Sequence, residues 1–553
     1  MTTRNLFSFF TLLFSLFFFN AFSQNGGNNV GQIHGNFETI NQYYNPDTAI
    51  GAPPVPEKLL SSSFANIIFN RGNFTAGARF ESYLNVLQGI DSKYNGTGIP
   101  YKYASYQIDN IGVTVGNFYE QFGSGMIFRS YEARSLGIDN AMEGVRVTLT
   151  PIKGIYLKGI VGKQRLFFSQ GPGIVRGIDG EININELHPR LDSLKTRLTI
   201  GGSFVSKYQK DDDPTYNLPE NVGAYAGRFN LYHGRFTMAG EYAYKINDPN
   251  SSNNFIYKPG QGAILALGYS KKGLGISLSG KMIDNMDYRS DRTASLNNLT
   301  MSYLPALSKQ HTYNLAATLY PYGTQPNGEM GIQADIIYKI KKKSRLGGKY
   351  GTLFNFNYSR IHSLNKEAYP SINDPDSTRM GYKTNYLSVG DEVYFEDINL
   401  EITKKINKKW KAKAAGFLFI YNMEVIQGLG GKGTVYANVV VLDVSYKIKP
   451  KHAVRVEAQH LSTDQDQGSW ATLLAEYTFS PNWFVAVMDQ YNYGNKYEEK
   501  QLHYPIGTFG YTKGGNRIML SYGRQRAGIF CVGGVCRNVP ASNGVTLSIT
   551  SSF

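Results

Sequence analysis

The sequence predicts an all-β chain, a transmembrane antiparallel β-barrel of about 26 strands (about 22–26) preceded by a cleaved signal peptide. Three observations carry that prediction. Short segments alternate apolar and polar residues with period two. The connections between them alternate between short basic turns and longer acidic loops, and the final residues form an amphipathic strand ending in an aromatic ring. Period two gives a strand two chemically different faces, so lipid can cover one while water or protein meets the other.

At the C-terminus, Val545, Leu547, Ile549 and Phe553 share a face, with hydroxyl residues opposite. Bacterial outer-membrane barrels typically end in this way, which makes the outer membrane the expected location. At the other end Arg4 precedes an apolar run from Leu6 to Phe19, and Ala21-Phe22-Ser23 before Gln24 is a small-x-small cleavage site. Residues 1–23 therefore read as a signal peptide and 24–553 as one barrel. Beyond Ser23 no apolar stretch reaches the roughly 18 residues of a helical span, so an exported chain inserts as a barrel or stays soluble.

Composition favours the barrel. Forty Tyr, 32 Phe and 59 Gly accompany a mean hydropathy of −0.31, a combination uncommon in soluble α/β enzymes and useful for aromatic girdles at membrane interfaces. The net charge of +15 would suggest nucleic acid for a cytosolic protein, but an export signal removes that partner. Outer-membrane lipids, lipopolysaccharide and other envelope proteins remain. Cys531 and Cys536 suit an oxidising compartment and are expected to form a disulfide; free thiols are the alternative, and a metal site is disfavoured because two thiols without nearby His supply half a tetrahedral shell.

Along the chain, a strand over Asn36–Tyr43 is followed by a loop over Asn45–Ser62. Arg71-Gly72, Asn110-Ile111 and Ile152-Lys153-Gly154 are short turns, while Gly89–Pro100 and Ser169–Pro172 are loops. From Thr196 the alternation is clear: Phe236, Met238, Gly240, Tyr242 and Tyr244 interleave with Thr237, Ala239, Glu241, Ala243 and Lys245, and Ile332, Ala334, Ile336 and Tyr338 with Gln333, Asp335, Ile337 and Lys339. Glu and Lys in the polar set imply a wet interior. Short connections such as Tyr232-His233-Gly234-Arg235, Ser270-Lys271-Lys272-Gly273, Asn407-Lys408-Lys409 and Thr512-Lys513-Gly514-Gly515 are placed in the periplasm. Asp211-Asp212-Asp213, Asn247–Asn254, His362–Gly390, Asp464-Gln465-Asp466 and the cysteine loop are placed outside. The alternation gives about eighteen strands from Thr196 to Phe553.

One connection breaks this grammar. The segment near 119–142 is long and apolar for a solvated loop, contains Gly123-Ser124-Gly125 for a tight bend, and carries Glu120, Arg129, Glu132, Arg134 and Asp139, followed by Glu143 and Arg146. It is expected to fold into the lumen, with Arg176, Asp179 and Glu181 as wall partners. There it either narrows a channel or completes a rigid lattice of paired charge that passes nothing.

His34-Gly35-Asn36-Phe37, the stretch from Gln42-Tyr43-Tyr44 to Ile50-Gly51-Ala52, Ala76-Gly77-Ala78-Arg79-Phe80-Glu81, and the run from Gly116 to Gly125 resemble a family of Bacteroidota outer-membrane proteins of unknown function. The likeness spans most of the mature chain and is densest before Glu181. It implies the compartment and the barrel and brings no catalytic residues. Gly533-Gly534-Val535-Cys536-Arg537 also resembles the final loop of other barrels of that phylum, including receptor-type ones.

No nucleophile elbow, zinc-protease helix, phosphate loop or Cys-x-x-Cys pair occurs, and the eight His are dispersed. Catalytic residues, a metal and a cofactor are thus not expected, and the protein reads as a non-enzyme; a hydrolase site converging at one rim is the outsider. The leading expectation is a porin-like channel for polar solutes with a mixed-charge constriction. The alternative is an accessory subunit of an outer-membrane protein-export or barrel-assembly complex, with a blocked lumen.

Overall fold

The computed structural model describes residues 31–369, 377–532 and 535–553, and within them twenty-four strands close into one antiparallel sheet. Each strand pairs with the next in chain order, the simplest arrangement for strands joined by alternating turns. The ring closes where Gln32–Tyr44 pairs with Leu59–Arg71 on one side and Ser542–Ser552 on the other. Phe553 extends the closing seam by exchanging backbone hydrogen bonds with Gly35 at 2.9 and 3.0 Å. Gly35 is required there, since a Cβ would sit 2.2 Å from the Asn66 carbonyl oxygen and 2.9 Å from the Phe553 ring.

The two faces follow the period-two pattern. Outward positions are large, apolar and exposed: Val113, Val115, Val161, Ile178, Leu265, Leu278, Ile332, Leu418, Val440, Leu473 and Leu520. Aromatic pairs decorate the short-turn end of this face, with ring centroids 4.4 Å apart for Trp410–Tyr446 and 4.2 Å for Trp483–Tyr511. Tyr436 and Tyr446 bracket the apolar outward positions of the strand Thr434–Lys449. Their spacing corresponds to roughly 33 Å along a strand, or roughly 25 Å of height at a tilt of about 40°, matching the apolar band of an outer-membrane barrel.

Eight of the strands precede Thr196, as the turn pattern predicts, and sixteen follow, two fewer than expected. Between the strands Leu274–Asp284 and Glu329–Ile340, residues 285–328 do not cross the wall. They turn into the ring, where wall side chains bury their apolar residues. This also corrects the expectation of a wet interior at Glu241 and Lys245, which are 8 % and 0 % exposed. The stretch His362–Gly390 is less of a loop than expected, because Thr352–Ala368 and Tyr382–Lys405 continue pairing past the rim through register shifts at Ile361–Lys366.

Residues 1–23, read as a signal peptide, lie outside the described residues, as do Gly533 and Gly534. Strand register sets Cys531 opposite Cys536 in the ribbon Gly528–Val532 and Val535–Val539, while the side chain of Cys531 lies outside the described part. Single cysteines introduced at Lys408 or Lys513, with Cys531 and Cys536 replaced by Ser, are expected to resist an impermeant thiol reagent on intact cells, whereas one at Asp212 reacts. The reverse pattern inverts the topology.

Candidate functional site: two segments folded into the barrel

The first inward segment leaves the strand Ile111–Phe118 and returns at Met142–Leu149. Gly123 and Gly125, both at positive φ, bend it back so that Glu120–Gln121 pairs with Arg129–Ser130 in a two-stranded ribbon. Its apolar run is fully buried: Phe122, Met126, Ile127 and Phe128 are each 0 % exposed. They pack against Met142, Ile160, Val175, Val205, Val222 and Ala243 from the successive strands that follow.

The second segment, residues 285–328, covers the opposite wall. Leu307, Tyr313, Leu315, Leu319, Tyr320 and Tyr322, around the short helix Asn314–Thr318, pack on Ile361, Phe395, Phe417, Phe419, Val435, Val439 and Trp470. Lys309 meets Glu401 at 2.8 Å and His311 meets Asp397 at 2.8 Å. The two segments are also joined. Arg129 N–H donates to the Met301 carbonyl at 2.7 Å, Tyr303 N–H to the Gly125 carbonyl at 2.9 Å, and the Asn140 amide to the Thr300 carbonyl at 2.8 Å. Connectors that touch each other and opposite arcs of one closed wall occupy its lumen.

Charge is arranged around these segments in two ways. A buried lattice ties the first segment to the wall. Arg79 pairs with Glu81 at 2.7 Å, Glu132 at 3.0 Å and Asp139, and Arg165 pairs with Glu81 at 2.6 Å and Asp139 at 2.5 Å. Arg79, Glu81 and Arg165 are no more than 3 % exposed. Arg134 extends this lattice to Glu132 at 2.5 Å and Glu38 at 2.6 Å. A second, wetter group forms where Glu120 takes Arg146 at 2.6 Å and Lys158 at 2.9 Å, the two cations being 30 % and 33 % exposed. Burial alone would raise the Glu120 pKa, but Lys158, the Gln121 N–H and Arg146 outweigh it and hold the carboxyl below its ordinary range.

The remaining sequence-predicted residues divide. Arg129 pairs with rings instead of acids, its guanidinium lying 4.4 Å from the Tyr131 centroid and 4.0 Å from that of Tyr303. Asp179 and Glu181 face inward and hold Arg228 at 2.8 and 2.9 Å. Arg176 corrects the expectation of a lumen partner: it alternates with buried Val175 and Gly177, is exposed, and stands opposite exposed Val161. Glu143 is likewise out of phase with inward Arg146, and its register partners are Lys163 and the buried Asn117. Arg79, Glu81, Lys158 and Arg165 were missed; in Arg79-Phe80-Glu81 the signal is opposite charges two residues apart on one face of a strand.

Between the second segment and the long loops, a cavity of about 640 Å³ is lined by Asn297, Thr300, Gln325 and Gln427 and by the apolar Leu304 and Ile426 among others. Near it, Arg526 anchors the base of the cysteine ribbon, donating to the Gln490 side chain at 3.1 Å and lying 5.4 Å from the Trp470 ring. Burial pulls its guanidinium down to about 10.

The profile of a family of unknown function (DUF6029) matches residues 4–553. No curated protein matches the chain. Among solved structures, the translocation pore of the P pilus usher PapC is similar at 9% identity over 95% of this chain and 99% of that one, with a TM-score of 0.43. The ferric enterobactin receptor PfeA of Pseudomonas aeruginosa is similar at 11% identity over 95% and 81%, TM-score 0.41. The copper transporter OprC gives 9% over 96% and 81%, TM-score 0.38.

Replacing Arg165 by Met is expected to destabilise the folded barrel by about 3–5 kcal/mol, because Glu81 and Asp139 lose a partner in a dry site. Arg146→Gln, at the wetter group, is expected to cost about 1 kcal/mol or less. Heat-dependent gel mobility of the two purified variants checks the contrast.

Proposed function

We propose that this chain, which belongs to the family of unknown function DUF6029, is an outer-membrane pore for polar solutes whose aperture is set by the two inward segments. The observation that carries the reading is the partly exposed group of Glu120, Arg146 and Lys158, a mixed-charge edge that meets water beside an otherwise dry segment. Water-exposed charge of both signs lets a polar solute exchange its hydration for wall contacts, as in pore constrictions. The cavity beside the second segment adds space toward the long loops, where Asn297, Thr300, Gln325 and Gln427 stand among apolar residues such as Leu304, Pro326 and Ile426. The outward apolar band and its aromatic pairs support the membrane placement, and passage rather than catalysis is the proposed role.

Deleting Gly123–Tyr131 tests it. The pore reading expects higher single-channel conductance in planar bilayers and sensitivity of cells to large hydrophilic antibiotics. A second reading, an accessory subunit with a blocked lumen, is favoured by the fully buried Phe122, Met126, Ile127 and Phe128. It expects unchanged permeability with lower barrel yield and heat resistance, and envelope proteins that copurify with the intact chain.

The same proposal includes a Cys531–Cys536 disulfide, which closes the ribbon that leans on the second segment through the Asn297 amide and the Cys536 carbonyl at 2.9 Å. Alkylation of unreduced protein is expected to leave both thiols unmodified. Modification of both removes the bond.

A further inference from the structure

Arg176 and Glu143, which the lumen does not use, belong to a row on the outer wall. Cross-strand register sets Glu143 opposite Lys163 on one side and Asn117 on the other. Lys163 stands opposite Ile174, two residues from Arg176 on the same face. Lys102 completes the row: its N–H donates to the Asn117 side chain at 2.9 Å. It also alternates with Tyr101, whose ring turns inward against Arg79. Three cations and one carboxylate thus share an outward patch across five neighbouring strands.

Its setting is unusual for cations. The next outward positions toward the short turns are the exposed Val115, Val161 and Ile178, the apolar band itself. Arg176 and Lys102 are exposed, and neither they nor Lys163 have an ion-pair partner among the described residues, whereas the inward cations Arg79, Arg165, Lys207 and Arg228 are all paired. The patch lies toward the long-loop end of these strands. A cation at the border of hydrocarbon is costly unless an anion meets it, and at this level the available anions are lipid headgroups.

We propose that Lys102, Lys163 and Arg176 form a docking site for the phosphate groups of an outer-leaflet glycolipid. Arg176 offers the planar fork that pairs with phosphate oxygens, and the two lysines supply charge on either side of Glu143. The proposal rests on the outer-membrane placement but not on solute passage, so a barrel that conducts nothing still binds.

The test is native mass spectrometry of the full-length, delipidated barrel with added diphosphorylated lipid A, beside its dephosphorylated form. The phosphorylated lipid is expected to bind and to raise the unfolding temperature, and the dephosphorylated one to do neither. Lys102→Ala, Lys163→Ala and Arg176→Ala combined are expected to weaken binding about tenfold or more with the barrel still folded by gel mobility, whereas Lys408→Ala at the short-turn end changes nothing. Glu143→Gln is expected to tighten it. Equal binding of both lipids, a triple variant that retains the lipid, weaker binding by Glu143→Gln, or equal stabilisation by inorganic phosphate alone would each overturn the proposal.

Discussion

A sheet closed on itself has no free edge, and this constraint governs everything inside the molecule. Once the strand Gln32–Tyr44 pairs on both sides, every wall residue has an assigned face. Closure also encloses a volume that grows with strand number, and a ring of twenty-four strands is too wide for its own side chains to fill. That volume must hold water or more chain. Here two connectors enter it, and the wall answers them: inward positions are apolar where a connector's apolar residues pack, as at Val435, Ala437, Val439 and Val441, and charged where a connector brings charge of its own, as at Arg79 and Glu401.

Charge does two different jobs in the lumen because its hydration differs. Arg79, Glu81, Arg165 and Asp139 neutralise one another away from water, which makes their geometry expensive to disturb and fixes the first segment against the wall. Glu120 with Arg146 and Lys158 lies at the boundary of that dry region, where water screens the pairs and lets the cations move. Rigidity and responsiveness therefore sit within one segment, a few residues apart.

Much of this was legible in the sequence. Turn chemistry located every short connection, and the run Met126-Ile127-Phe128 betrayed the first segment because a solvated loop has no use for it. The second segment carried no such signal. Tyr288, Met301, Leu315 and Tyr320 follow no period, and their burial comes from wall strands far along the chain, so no local window reveals it. Arg176 was a different case. Strand parity already separates position 176 from 179 and 181, and applying it would have sent the arginine outward with Glu143.

The seam between the first and last strands has a consequence for how the molecule forms. Gln42 and Ser542, which bond across it, are separated by 500 residues, whereas every other strand pairing of the wall joins strands that follow one another in the chain. Hairpins can therefore assemble locally and early, but the final pairing waits until nearly the whole described chain is present. Until then two long amphipathic strands expose unpaired backbone, the condition in which sheets aggregate or exchange partners. The interval before closure is the vulnerable period in the life of this protein, and whatever shelters the two open edges during that interval determines the yield of finished barrels.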